Sequence, residues 1–245
     1  MKIAVTGKGG VGKTTLTALL ARAAVDGNRR VYVIDADPNP NLAFALNLPE
    51  TPTPLIELKS LLLERLGALD SFFRLNPKVD DIPEQFAVER DGVRLLVLGG
   101  VRQGGSGCAC PENTFLKSLL QHLMLERQEW IFVDFEAGLE HLGRATARGV
   151  DALLVVVNPD RASVETALRI ERLAKQIGIR RIHAIGNKVE DDAEVDWLRA
   201  GLPGIDFLGS LPESALLRRA VRTGSSIADP ELTARVKPIL QALER

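Results

Sequence analysis

The residues with the clearest chemical meaning lie near the start of the chain. Residues 7–14 have the sequence Gly-Lys-Gly-Gly-Val-Gly-Lys-Thr, which matches the pattern G-x-x-x-x-G-K-[ST]. Glycines at these positions let backbone N–H groups surround phosphate oxygens, and the start of a helix adds positive potential. In such a loop Lys13 would reach the β- and γ-phosphates, and the Thr14 hydroxyl would ligate Mg²⁺. The predicted nucleotide-binding residues of this loop are Gly9, Gly10, Val11, Gly12, Lys13, Thr14 and Thr15.

The same segment also fits a dinucleotide-binding pattern. Gly7, Gly9 and Gly12 satisfy G-x-G-x-x-G, and Asp35 ends the next strand-like run, where a dinucleotide fold places its ribose-binding acid. A triphosphate site needs the Lys13-Thr14 pair, whereas a dinucleotide site needs neither residue. The sequence therefore favours a nucleoside triphosphate.

A second lysine early in the loop points to a particular class of ATPase. With Lys8 included, residues 8–15 resemble the deviant phosphate loop of the MinD/ParA/nitrogenase-iron-protein class. The resemblance implies that Lys8 crosses a dimer interface to the partner's nucleotide, where a second ammonium group would stabilise charge on the transferred phosphate. The alternative is a solvated loop lysine. The candidate catalytic residues are Lys8, Lys13 and Asp37.

Acidic residues after two predicted strands resemble the switches of the same class. Asp37 precedes a proline, and the resemblance implies that its carboxylate orients the attacking water; an ordinary Asp-Pro turn is the alternative. Asp134 begins an Asp-x-x-Ala-Gly segment, which implies a water-mediated contact of Asp134 to Mg²⁺ and a contact of the Gly138 N–H to the γ-phosphate. A helix cap is the alternative for Asp134. The candidate magnesium residues are Thr14, Asp35 and Asp134.

Two further strand ends carry candidate base contacts. Asn187-Lys188 follows a strand, and an amide can meet a purine edge with both a donor and an acceptor. Pro212-Glu213 ends the last strand and resembles the second base-contacting loop of the class. The segment 187–190 approaches the guanine motif of GTPases but has Glu where that motif needs Asp. We therefore predict adenine, with simple turns as the alternative.

Both cysteines lie in one glycine-rich segment, residues 104–111. The Cys-x-Cys spacing of Cys108 and Cys110 would let two thiolates bind one soft metal ion and leave a tetrahedral or square-planar ion half coordinated. A two-fold dimer would complete the site, because the same patch meets itself across the axis. We predict one soft metal ion bridging two subunits; a redox switch, a local disulfide or structural thiols are the alternatives.

The loop and the cysteine segment together resemble the CooC-type nickel-maturation ATPases of carbon monoxide dehydrogenase. The most specific stretch is residues 105–115, and similar segments occur at 7–15, 75–80, 137–146 and 187–189. The resemblance implies an ATP-driven homodimer that forms on nucleotide and metal binding. It also implies that Ni²⁺ bridges the two subunits and is delivered to carbon monoxide dehydrogenase, or to the related acetyl-CoA synthase; Zn²⁺ is the alternative ion, because thiolates suit both.

The elements that must position these residues alternate along the chain. Short apolar, β-branched runs are separated by segments with helical periodicity, such as Leu16, Leu19, Leu20 and Ala23. Continuously apolar runs are typical of parallel strands that are buried on both faces. The alternation predicts an α/β fold with a doubly wound, mostly parallel sheet and helices on both faces, organised as one P-loop domain over residues 1–245.

Composition narrows the remaining function classes. Lys and Arg number 31 against 32 Asp and Glu, a balance that argues against nucleic-acid binding. No apolar run is long enough for stable membrane insertion, and the N-terminus does not resemble a signal peptide, so we expect a cytoplasmic protein. The amphipathic stretch 232–243 contains Pro238 and few cations, so we expect it to dock on the core with an interruption at the proline.

Two other function classes share the phosphate-loop pattern. A MinD/ParA-like ATPase that positions itself on membrane or DNA would leave the cysteines redox or structural. An electron carrier similar to the nitrogenase iron protein needs two well-separated cysteines per subunit, and this chain has one adjacent pair. The cysteine segment therefore favours metal delivery.

Overall fold

The structure is a computed structural model that describes residues 1–67, 73–99, 111–125, 127, 129–136, 147–223 and 230–244. These residues form an eight-stranded sheet in the order β3-β4-β2-β5-β1-β6-β7-β8, in which β3 is antiparallel to β4 and all other neighbours are parallel. The strands are β1 Lys2–Gly7, β2 Val31–Asp35, β3 Val88–Arg90, β4 Val93–Val97, β5 Trp130–Asp134, β6 Ala152–Val157, β7 Ile182–Val189 and β8 Asp206–Pro212.

Helices cover both faces of this sheet. Two apolar clusters, one on each side, fill the space between the strands and the helices, which confirms the predicted doubly wound fold. The described helices are α1 Lys13–Asp26, α2 Leu42–Ala45, α3 Lys59–Leu66, α4 Ile82–Phe86, α5 Pro111–Leu125, α6 Arg161–Ile177, α7 Asp192–Gly201, α8 Ala215–Thr223 and α9 Pro230–Leu243.

The central strands are apolar because both of their faces are covered. Every residue of β2 and of β6 is buried, and β1 is buried after its first residue. Strand β1 lies between β5 and β6, so its carboxyl end is flanked on both sides by other strand ends. This is the edge where an open parallel sheet forms its ligand crevice.

The structure differs from the predicted elements at the edge of the sheet. Strand β3 was not predicted, because its three residues are exposed and carry no apolar pattern. It pairs with β4 through a two-residue turn in which Asp91 and Gly92 have φ of 50° and 77°. Such a turn favours Asp-Gly, so this dipeptide was the available signal. Before β3, a 3-10 turn at Leu55–Glu57 leads into α3.

The C-terminal helix docks on the core, as predicted, but the prediction of an interruption at Pro238 was wrong. Helix α9 runs through Pro238 without a break. Its apolar residues, among them Val236, Ile239 and Leu240, are buried in the same cluster as α1. Packing on both sides of the proline outweighs the missing backbone hydrogen bond, which costs about 3 kcal/mol in a helix. Among the described helices, none combines the length and the apolar character needed to cross a membrane.

Candidate functional site

The phosphate loop connects the central strand to the first helix. Strand β1 ends at Gly7 and α1 begins at Lys13, the context that the motif requires. Gly12 has φ 98°, and a Cβ there would lie 2.3 Å from the Asn187 amide nitrogen, so only glycine fits. The N-terminus of α1 receives no side-chain cap from the described residues. Its first N–H groups can therefore bind an anion.

The two loop lysines occupy different surroundings. Lys13 is buried, and its ammonium group donates to the carbonyl oxygen of Lys8 at 3.3 Å. The Lys8 ammonium group forms an ion pair with Asp160 at 3.3 Å, and both side chains are nearly half exposed. Asp160 is the N-cap of α6 and also accepts a hydrogen bond from the Ser163 N–H at 2.8 Å. The Asp160 partner of Lys8 was not predicted, because the two residues are far apart in sequence.

Thr14 and Asp134 form the core of the candidate magnesium site. The Thr14 hydroxyl donates to Asp134 Oδ2 at 2.6 Å. The other carboxylate oxygen, Oδ1, is buried and meets no hydrogen-bond donor among the described residues. Mg²⁺ prefers oxygen ligands, and here a hydroxyl lies beside a carboxylate that has one oxygen without a hydrogen bond from any described residue. The arrangement of Thr14 and Asp134 therefore suits the ion.

Burial controls the charge of this site. Asp134 and Asp35 lie opposite each other in register on β5 and β2, and both are buried. Burial raises the pKa of Asp134 to about 7, while the Thr14 hydroxyl lowers it and the neighbouring Asp35 carboxylate raises it. Burial likewise raises the pKa of Asp35 to about 6, against three backbone hydrogen bonds that lower it. A cation placed here would relieve the cost of burying two carboxylates.

Asp35 also shapes the loop that carries Asp37. One Asp35 oxygen accepts the Asp37 N–H at 3.2 Å, and the other accepts the N–H groups of Asn41 and Leu42, each at 2.9 Å. The Asp37 carboxylate accepts the Asn39 N–H at 2.8 Å, which is the turn contact that the sequence left as its alternative. Asp37 therefore sits in a formed turn beside Asp35, and its proposed role on water stays a prediction.

The predicted base contacts lie together. Asn187, Lys188, Pro212 and Glu213 line a cavity of about 780 Å³ with loop residues that include Gly12. The structure thus brings the ends of β7 and β8 to the phosphate loop, as the topology of parallel strands requires.

The opposite wall of this cavity was not predicted. It is formed by α8, with the arginines Arg218, Arg219 and Arg222. Arg218 forms an ion pair with Glu213 at 3.3 Å. The three arginines repeat at helical spacing (i, i+1, i+4), which was the available signal, but spacing did not indicate that they face a cavity.

Three predicted site residues lie outside the described residues. They are Gly138, Cys108 and Cys110. Within the described ranges, no group of three or more His, Cys, Asp or Glu side chains could hold a metal ion. The predicted Cys-x-Cys site therefore stays a prediction.

Comparison with known proteins identifies the family. The model of the CobQ/CobB/MinD/ParA nucleotide binding domain matches residues 2–227. The carbon monoxide dehydrogenase accessory protein CooC of Rhodospirillum rubrum is 44% identical over 236 residues, covering 94% of this chain and 90% of that protein. An uncharacterized ATP-binding protein of Methanocaldococcus jannaschii is 41% identical over 219 residues, covering 86% of this chain and 85% of that protein.

A solved structure agrees with the fold. The MinC:MinD cell division protein complex of Aquifex aeolicus matches with a TM-score of 0.71 and 23% identity, over 99% of this chain and 95% of that chain. Together these matches confirm the predicted P-loop fold and the predicted place in the MinD/ParA class of ATPases. The chain therefore belongs to the CobQ/CobB/MinD/ParA family of nucleotide-binding proteins, and among them to the ATPases that are similar to CooC.

Proposed function

We propose that this chain is an ATP-hydrolysing homodimer that binds nickel through Cys108 and Cys110 and inserts it into the metal cluster of carbon monoxide dehydrogenase or acetyl-CoA synthase. The observation that carries the proposal is the 44% identity to CooC, which extends over 90% of that accessory protein. Nickel is the cargo of this reaction, and zinc is the alternative cargo, because thiolates suit both ions.

The loop and strand ends supply the parts that phosphoryl transfer needs. The N–H groups of residues 9–15 and the Lys13 ammonium group would bind the β- and γ-phosphates. Thr14 and Asp134 would hold Mg²⁺, which when bound neutralises charge on the phosphates. Asp37 would accept a hydrogen bond from the attacking water and direct it at the γ-phosphorus. Adenine would occupy the cavity beside Pro212 and Glu213.

Lys8 would complete the site from the partner subunit. In the single chain its ammonium group is held by Asp160, and the ion pair is nearly half exposed. Exposed pairs of this kind are weak, so the lysine can be released at little cost when a second copy presents a triphosphate. We propose that Lys8 then stabilises the charge that develops on the transferred phosphate.

The chain order would connect the nucleotide to the metal. Strand β4 ends at the same edge of the sheet as the phosphate loop, since Val97 pairs with Asp35. In the sequence, Cys108 and Cys110 lie between β4 and α5, which begins at Pro111. Closure of the dimer on ATP would bring two such segments together, and linkage then requires that metal binding changes nucleotide affinity in return.

Anaerobic equilibrium dialysis with Ni²⁺ tests the proposal. We expect one nickel ion per two chains, a stoichiometry or affinity that changes with ATP, and loss of binding in the Cys108→Ser/Cys110→Ser variant. The variant should still bind ATP, because the phosphate loop does not include the cysteines. Absence of a specific metal in every nucleotide state would refute metal delivery, and ATP-dependent pelleting with liposomes or DNA would then support a positioning ATPase.

A further inference from the structure

Three polar side chains lie against the carbonyl groups of the phosphate loop. The Asn187 amide nitrogen donates to the Val11 carbonyl oxygen at 2.6 Å, and the Lys188 ammonium group donates to the Gly10 carbonyl oxygen at 3.1 Å. The side-chain amide of Asn158 satisfies its neighbours when its nitrogen faces them. In that orientation the nitrogen lies 3.2 Å from the same Val11 oxygen and 3.1 Å from the Asn187 carbonyl oxygen. Asn158 follows β6, whereas Asn187 and Lys188 lie in the last residues of β7.

These contacts matter because a phosphate loop must present one side of its peptide groups. Its N–H groups attract phosphate oxygens, whereas a carbonyl oxygen turned inward would repel them. Gly10 and Gly12 have φ of 78° and 98°, and glycine allows the adjoining peptide groups to rotate readily. Donors that hold the Gly10 and Val11 carbonyl groups fix the orientation of these two peptide groups; the Val11 N–H donates within the loop to the Lys8 carbonyl oxygen at 3.4 Å, and the Gly12 N–H belongs to the peptide group that Asn187 holds.

The backbone at Lys188 is adapted to this contact. Lys188 has φ 57°, a left-handed conformation that is uncommon for residues other than glycine. The pairing of β7 with β8 shifts register between Asn187 and Val189, so the strand is irregular at this point. Uncommon backbone conformations of this kind occur where the surrounding structure uses them, and here the Lys188 side chain meets the loop.

We propose that Asn187, Lys188 and Asn158 are positioning residues that hold the carbonyl groups of Gly10 and Val11 away from the triphosphate. The proposal rests on the proposed binding of ATP by this loop. It assigns Asn187 and Lys188 a role in phosphate affinity that does not depend on the base. Asn187 and Lys188 both line the base cavity. The amide hydrogen that Asn187 donates to the Val11 carbonyl oxygen is nevertheless not available to adenine.

A ligand without a base separates the two roles. Inorganic tripolyphosphate with Mg²⁺ has the phosphates of ATP but no adenosine, so a residue that only contacts the base cannot affect its binding. Asn187→Leu removes the donor and keeps the approximate size and the net charge, whereas Lys188→Met would remove a charge together with the donor. Isothermal titration calorimetry of the full chain gives both affinities, and Glu213→Gln is the matched variant in the base cavity away from the loop.

We expect Asn187→Leu to weaken tripolyphosphate and ATP by the same factor, about fivefold to tenfold for one lost hydrogen bond. Loss of affinity for ATP alone, or no change for either ligand, would overturn the proposal. If Asn187→Leu does not fold, Asn158→Ala is the second variant. Asn158 follows the neighbouring strand β6, and its substitution should weaken the binding of both ligands. Failure of the wild-type chain to bind ATP would instead refute the proposed function.

Discussion

The buried carboxylate of Asp134 should make the free energy of unfolding depend on pH in a defined way. Its pKa is raised from 3.8 to about 7 in the folded chain, chiefly by burial. Between these two values the folded state binds more protons than the unfolded state, so stability falls as pH rises. Asp134→Asn removes this group while keeping an oxygen that can accept the Thr14 hydroxyl.

The magnitude follows from the two pKa values. At 1.36 kcal/mol per pH unit, the raised pKa lowers the free energy of unfolding by about 1.7 kcal/mol at pH 5 and about 4.3 kcal/mol at pH 8. The variant should therefore gain about 2.5 kcal/mol relative to wild type between pH 5 and pH 8. Asp35→Asn is the comparison, and its gain should be about 1.4 kcal/mol, since the pKa of Asp35 is raised only to about 6.

Urea unfolding followed by circular dichroism, without nucleotide and with EDTA, measures these differences. Any effect of the substitution that does not depend on pH shifts the whole curve and leaves the difference between pH 5 and pH 8 unchanged. Parallel curves for wild type and Asp134→Asn would refute the reasoning, because the carboxylate would then be ionised at little cost. The same variant should lose the Mg²⁺ dependence of nucleotide binding, and wild-type Mg²⁺ affinity should rise from pH 6 to pH 8 as the carboxylate ionises.

Three further substitutions test the catalytic and metal assignments. Lys8→Ala should retain ATP binding but reduce the hydrolysis rate at least tenfold; unchanged hydrolysis would exclude a role in trans. Asp160→Asn keeps an N-cap but releases Lys8, so ATP-dependent dimerisation in sedimentation velocity should tighten by roughly 1.5- to 5-fold, as an exposed ion pair of about 0.2–1 kcal/mol allows. Cys108→Ser/Cys110→Ser should abolish nickel-dependent dimerisation and leave ATP affinity unchanged; an equal loss of both would make the segment structural.

The fold and the position of the phosphate site were predictable because the relevant signals are local. Residues 7–14 carry a motif whose strand and helix lie directly beside it in the chain. Asp134 could be placed near Thr14 without any distance information, since the carboxyl ends of parallel strands meet at one edge. The fully apolar runs of β2 and β6 indicated strands that are covered on both faces.

The contacts missed by the sequence are long-range pairings between ordinary polar residues. Nothing near Lys8 marks Asp160 as its partner. The two residues follow the neighbouring strands β1 and β6, and no sequence pattern shows which charged residues will pair after two such strands. The amide of Asn187 was expected to contact a base, and its hydrogen bond to Val11 depends on how the end of β7 approaches the loop. Helix α9 was expected to break at Pro238. The helix continues because the apolar residues on either side of the proline are buried against α1.

The central position of β1 has a consequence for the way the chain is synthesised. β1 is made well before both of its neighbours, since Lys2 pairs with Ile131 and Ile3 pairs with Ala152. At about 5–20 residues per second, both neighbours of β1 exist only after roughly 10–30 s of elongation. Until then β1 lacks both of its neighbouring strands, and exposed apolar strands of this kind are prone to aggregation. Because the candidate magnesium residue Asp134 ends β5, the predicted site is complete only after β5 has been made.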